Sequence, residues 1–199
     1  MEYNNQPSLS VVICLFLVKG IQVLKIILLT HQKELTRPSN TGRWVKAVLE
    51  ERALVIPWDR VNPNPELTQL IASANVGLLF PELPAQPSLV IGSIDSAEII
   101  DTSIRLESDT FSNFDALVII DSTWQEARKI YNRSPYLKQL KKVSIDTKVE
   151  SIYQLRRNQL EGGLCTAECA AHILFQVGEL ESAESIMKCL KEQIAHKMQ

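Results

Sequence analysis

The segment best equipped for chemistry is Asp121-Ser-Thr-Trp124, an acid and two hydroxyls that directly follow the apolar run Ala116-Leu-Val-Ile-Ile120. Thr123-Trp-Gln-Glu126 has the capping-box spacing that opens a helix, which puts Asp121 at the carboxyl end of a strand. Open α/β sheets bind ligands at that edge, where side chains and free backbone amides converge. A carboxylate there can accept or steer a proton, or stabilise a cation. The local pattern equally allows Asp121 to be a cap and Trp124 to be core.

Basic residues accompany this segment. Arg128, Lys129 and Arg133 point away from the stripe of Trp124, Ala127 and Tyr131, as phosphate contacts or as a solvated face. From Asp121 to Leu160 there are nine Lys or Arg against four acids, a local +5 in a chain of net charge −2, leaving −7 elsewhere. Such asymmetry fits a polyanion-binding face on an acidic molecule, or simply a charged surface.

Two further segments have loop chemistry. Arg37-Pro-Ser-Asn-Thr-Gly-Arg43 offers small residues near a helix start, an anion cradle or a structural turn. It lacks the lysine and spacing of a P-loop. In Glu161-Gly-Gly-Leu-Cys-Thr-Ala-Glu168, two glycines allow close backbone approach to a ligand, or turn the chain with Thr166 as a helix cap. Cys165 and Cys169 share a helical face, but two ligands do not make a zinc site, so no metal is expected. Cys14 and Cys189 complete a set that reads as reduced thiols; His31 and His172 stand apart and read as structural.

The elements that must position these residues follow from periodicity. Val23–Leu29, Ala53–Ile56, Val76–Phe80, Ala116–Ile120 and Lys142–Ile145 are short apolar or β-branched runs, predicted as buried strands. Helical spacing lies between them, at Trp44, Val45, Val48 and Leu49, at Leu67, Leu70, Ile71 and Ala74, and at Trp124, Ala127 and Tyr131. Pro65 suits the first turn of the second of these helices. Two more helices close the chain, with Gly178 as the stop between them. The acidic stretch from Asp95 to Asp115 reads as an exposed excursion. The alternation predicts one α/β domain with a mainly parallel sheet.

At 199 residues the chain is long enough for a core of its own. Lys19 and Lys25 interrupt its longest apolar stretch, and each charge costs about 3 kcal/mol at a bilayer centre, so no membrane span is expected. Met1–Ser10 carries Glu2 and no basic residue, unlike a secretory leader, so the expected location is cytoplasmic.

Taken in order, the segments resemble the DTW-domain family, the tRNA-uridine aminocarboxypropyltransferases. The matching pieces are Arg37-Pro-Ser-Asn-Thr-Gly-Arg43, Leu79-Phe-Pro81, Asp121-Ser-Thr-Trp124 with Glu126-Ala-Arg-Lys129, Ser134-Pro-Tyr-Leu137, Leu155-Arg156, and Glu161-Gly162 with Cys165-Thr-Ala-Glu168. The resemblance implies a SPOUT-like fold with a C-terminal trefoil knot, and S-adenosylmethionine as co-substrate. It implies cofactor contacts from Phe80, Pro81, Ile120, Asp121, Thr123, Trp124, Leu155, Gly163, Cys165 and Thr166. It implies Asp121 as the catalytic residue, and tRNA contacts from Arg37, Asn40, Thr41, Arg43, Arg128, Lys129 and Arg156. Family members commonly begin with a zinc-ligand cysteine cluster; here residues 1–22 hold only Cys14, and the DTW catalytic domain is expected over 23–199. An RNA methyltransferase using the same co-substrate, and a non-catalytic RNA-binding module, are the alternative functions.

Overall fold

Five short runs rich in Val, Ile and Leu form strands, each within one or two residues of its predicted place. In the computed structural model, which describes residues 23–81, 111–145, 151–153 and 163–197, these are β1 (Lys25–Thr30), β2 (Ala53–Pro57), β3 (Val76–Leu79), β4 (Ala116–Asp121) and β5 (Lys141–Val143). They make one sheet in the order β2-β1-β4-β3-β5, with every pair parallel. The sheet is therefore wholly parallel among the described residues.

Parallel strands covered on both faces read as continuous apolar runs, and here alternate residues serve opposite layers. Ile26, Leu28, Leu117 and Ile119 pack with α2 (Gly42–Leu49), α5 (Thr166–Gln176) and α6 (Leu180–Lys197). Ile27, Leu29, Val118 and Ile120 pack with α3 (Pro65–Ser73) and α4 (Trp124–Arg133). The product is a three-layer α/β/α domain. Full burial of each such side chain contributes about 1.5–3 kcal/mol, which makes the central strands β1 and β4 the rigid base of the molecule.

Local signals set the helix ends. Asn64 caps α3 by accepting from Leu67 N–H at 3.1 Å, with Pro65 in its first turn. Gly178, at φ +86°, lets Glu179 N–H reach Leu174 O at 2.8 Å and stops α5. A one-turn helix, α1 (Gln32–Leu35), leaves the end of β1. The segment 1–22 and the acidic stretch as far as residue 110 lie outside the described residues; at the end of that stretch, predicted to be exposed, Phe111 and Phe114 are instead buried in the core because they are large apolar side chains packed under the sheet.

One topological feature places the site. From β1 the chain goes outward to the edge strand β2, whereas from β4 it goes to the opposite edge strand β5. Adjacent strands whose connections depart in opposite directions leave a crevice at their carboxyl ends. Thr30 of β1 and Asp121 of β4 are register partners at that point.

Candidate functional site

Asp121 closes β4 and is 1% exposed. Its Oδ1 accepts from the Thr166 hydroxyl at 2.7 Å, and its Oδ2 from Asn40 Nδ2 at 2.7 Å and the Thr30 hydroxyl at 3.3 Å. A carboxylate has about four acceptor positions, and three are engaged by these donors. Asp121 thus ties β1, the Arg37–Arg43 loop and the start of α5 to β4.

Helix geometry explains why these parts meet. The carboxylate faces the N-terminal turns of α2 and α5, where the helix dipoles place partial positive charge. Gly42 permits the approach: a Cβ on it would lie 2.8 Å from Asp121 Oδ2 and 3.1 Å from Asn40 Oδ1. Thr41, fully buried, accepts from Ala167 N–H at 3.3 Å and links the two helix starts directly. Asn40 also donates to Glu34 O at 3.0 Å and accepts from Arg43 N–H at 3.2 Å. Asn40 and Thr41 therefore face inward, among the groups that build the crevice.

The loop is clamped from outside as well. Tyr153 donates to Ser39 O at 2.8 Å, and Gln193 of α6 donates to Pro38 O at 3.1 Å while accepting from Trp44 Nε1 at 2.6 Å. Neither residue carries a local sequence signal, because each acts on a segment more than a hundred positions away. Thr30 and buried Glu34, which pairs with exposed Arg37, were also unmarked in the sequence.

At the start of α5 the cap differs from expectation. Cys165 rather than Thr166 is the N-cap, which frees the Thr166 hydroxyl for Asp121. Glu168 accepts from Cys165 N–H at 2.7 Å, from Ile152 N–H at 2.7 Å and from the Ser151 hydroxyl, pinning residues 151–153 to this helix. Burial, then the nearby Glu168 charge, pushes the Cys165 thiol up to about 12, so it is protonated at neutral pH. Among the described residues no group of three or more His, Cys, Asp or Glu is placed to hold a metal.

Beside Asp121 the ends of β3 and β4 are joined by aromatic stacking. Phe80 lies 5.5 Å from Trp124 and 4.5 Å from Tyr131, ring centre to ring centre. Phe80 is buried by these rings, whereas Trp124 and Thr123 remain half-buried at the crevice. Ile120 is buried, Gly163 half-buried and Pro81 exposed; Leu155 and Arg156 lie outside the described residues. The structure thus brings Phe80, Trp124, Asp121 and Thr166 to one edge of the sheet.

Of the basic residues, Arg43, Arg128, Lys129 and Arg133 are exposed. Arg43 covers the Trp44 ring at 4.6 Å. Thr123 caps α4 through Glu126 N–H at 3.4 Å, but the Glu126 carboxylate takes Lys129 Nζ at 3.1 Å and lies 3.7 Å from His31 Nε2. The Lys129 hydrogen bond holds the Glu126 carboxyl below its usual range. Arg43 stands in the first turn of α2 and Arg128 in the second turn of α4, so they belong to helices on opposite faces of the sheet.

A family model described as the DTW domain matches residues 6–198. The chain is 29% identical over 154 residues to a Drosophila melanogaster protein named tRNA-uridine aminocarboxypropyltransferase 2. That alignment covers 75% of this chain and 55% of the relative, so the chain spans about half the length of the relative it matches. No solved structure matches.

Proposed function

The chain belongs to the DTW domain family, and on that premise we propose that it transfers the 3-amino-3-carboxypropyl group of S-adenosylmethionine to N3 of a tRNA uridine. The observation that carries this reading is the crevice at the switch point of the sheet, framed by two helix N-termini and an aromatic wall around Asp121. Its parts suit the co-substrate. Trp124, backed by buried Ile120, offers apolar surface to a purine, the positive ends of two helices suit a carboxylate, and Asp121 supplies negative charge near a sulfonium. Phe80, Pro81, Thr123, Leu155, Gly163, Cys165 and Thr166 complete the set that would line or support this site.

Three carbons on the sulfonium are electrophilic, and which one reacts is a matter of orientation. A site held this tightly presents the terminal methylene of the aminocarboxypropyl arm in line with N3 and leaves methylthioadenosine. Asp121, with its oxygens engaged by Thr30, Asn40 and Thr166, serves by fixing the crevice and its field. Arg43 and Arg128 meet tRNA phosphates, joined by Arg37 and Arg156. Asn40 and Thr41 support those contacts from beneath.

We also propose the SPOUT-like arrangement with its C-terminal trefoil knot. The parallel sheet and the seating of α5 on Asp121 support it. A cytoplasmic location suits a tRNA substrate; no described helix is long and apolar enough to cross a membrane.

Incubation with unmodified tRNA and S-adenosylmethionine, followed by nucleoside mass spectrometry, tests the proposal. Aminocarboxypropyluridine is expected; methyluridine would favour a methyltransferase, and tRNA binding without any product an RNA-binding module.

A further inference from the structure

His31 follows β1, which flanks β4 on the side away from β3 and Phe80, and its backbone N–H donates to Asp121 O at 3.1 Å. Its Nδ1 accepts from Lys33 N–H at 3.1 Å as the cap of α1. In the neutral ring the proton is then on Nε2, the nitrogen facing Glu126. Glu126 lies between this donor and Lys129. The His31 ring stacks on Trp58 at 6.2 Å and 25°, and Trp58 is itself fixed by its Nε1 donating to the Ser134 hydroxyl at 2.9 Å.

Building on the transfer reading above, we propose that His31, Glu126 and Lys129 read the uracil edge of the target nucleotide, and that Glu126 accepts the N3 proton. The imide edge of uracil presents an acceptor, a donor and an acceptor: O2, N3–H and O4. His31 Nε2–H, the Glu126 carboxylate and Lys129 Nζ present the complementary donor, acceptor and donor. Cytosine, which offers an acceptor at N3 and a donor at N4, mismatches two of the three. Trp58 adds a flat apolar surface beside this row, of the kind on which bases stack.

The alternative, that these are ordinary surface ion pairs, leaves one feature unexplained. A capping box would turn Glu126 back to the Thr123 N–H, whereas here the carboxylate faces His31 and Lys129. Exposed pairs of this kind add little stability, about 0–1 kcal/mol, so stability does not account for the arrangement. The location does: His31 is hydrogen-bonded to Asp121 through the backbone, and Glu126 stands in the first turn of α4, the helix that carries Trp124.

The transfer step balances with these groups alone. The N3 electron pair forms the new bond to the methylene carbon as the carbon–sulfur bond breaks, and sulfur leaves with its pair as methylthioadenosine. The N3 proton grows acidic as that bond forms and passes to Glu126, then to water. Lys129, His31 and Lys33 are the charged or titratable groups acting on Glu126; they keep it ionised and make it a weak base, so it relays the N3 proton to water rather than retaining it.

The test compares wild type, Glu126→Gln and His31→Asn in full-length protein with tRNA and S-adenosylmethionine. Asparagine at position 31 can still cap α1 but lacks the Nε2 donor. For Glu126→Gln, kcat should fall about 100-fold with co-substrate binding unchanged, and the deficit should narrow as pH rises toward the ionisation of uridine itself. For His31→Asn, the KM for tRNA should rise while the urea midpoint stays in place. A Glu126→Gln enzyme within about threefold of wild type, or a deficit constant with pH, overturns the assignment. Absence of aminocarboxypropyluridine from wild type and variants alike would instead overturn the transfer reading on which it rests.

Discussion

Asp121 and Thr166, 45 positions apart, meet through a hydrogen bond of 2.7 Å in which the Thr166 hydroxyl donates to Asp121 Oδ1. This bond closes the crevice, because it joins the end of β4 to the first residue of α5.

Thr166→Val keeps the shape and removes the donor. A buried hydrogen bond to a charged acceptor contributes about 1.5–3 kcal/mol, so unfolding in urea should show a loss of that order with an unchanged slope. Co-substrate affinity should fall as well, by equilibrium binding. A variant as stable and as tight-binding as wild type would show that the bond does not organise the site.

Gly42→Ala tests the close approach of α2. Alanine ordinarily favours a helix, yet here its Cβ meets Asp121 Oδ2 at 2.8 Å, against a carboxylate that Asn40 already fixes. Overpacking of this kind costs about 1–3 kcal/mol, and a lowered denaturation midpoint is expected. An increase in stability would mean that the carboxylate moves aside without cost.

Gln193→Leu removes the clamp between α6 and the loop, leaving Trp44 Nε1 and Pro38 O without their partner. The loss should be about 1–3 kcal/mol. Hydrogen exchange of the Asn40 and Arg43 amides should accelerate more than that of the β1 amides, since the loop is loosened and the sheet is not.

Cys165 gives a pH signature. Its folded pKa is raised from 9.0 to about 12, so its contribution to stability is complete below pH 9 and is lost as pH climbs through about 12. Between pH 9 and 11, wild type should lose stability more steeply than Cys165→Ala in denaturant titrations. Alkylation of Cys165 in the folded protein at pH 8 should be slow, and rapid once the chain unfolds.

Arg128→Ala should weaken tRNA binding and reduce the slope of log affinity against log salt by about one. An unchanged slope would remove Arg128 from the phosphate contacts.

The strands were legible because a parallel strand buried on both faces needs an uninterrupted apolar run, as in Ala116–Asp121, where all six residues are buried. The edge position of Asp121 followed from the same run and the Thr123 cap. Its partners did not, since Thr30, Asn40 and Thr166 are ordinary polar residues until the fold joins them. Asn40 and Thr41 read as surface contacts because loop composition carries no sign of burial. His31 read as structural for a related reason: its neighbour Glu126 is far off in sequence and already accounted for by a helix-start pattern.

The most direct measurement of the proposed transfer reaction is the fate of S-adenosylmethionine when the protein is incubated with tRNA. Chromatography with mass detection should find methylthioadenosine released mole for mole with aminocarboxypropyluridine formed. Release of S-adenosylhomocysteine in its place would contradict aminocarboxypropyl transfer.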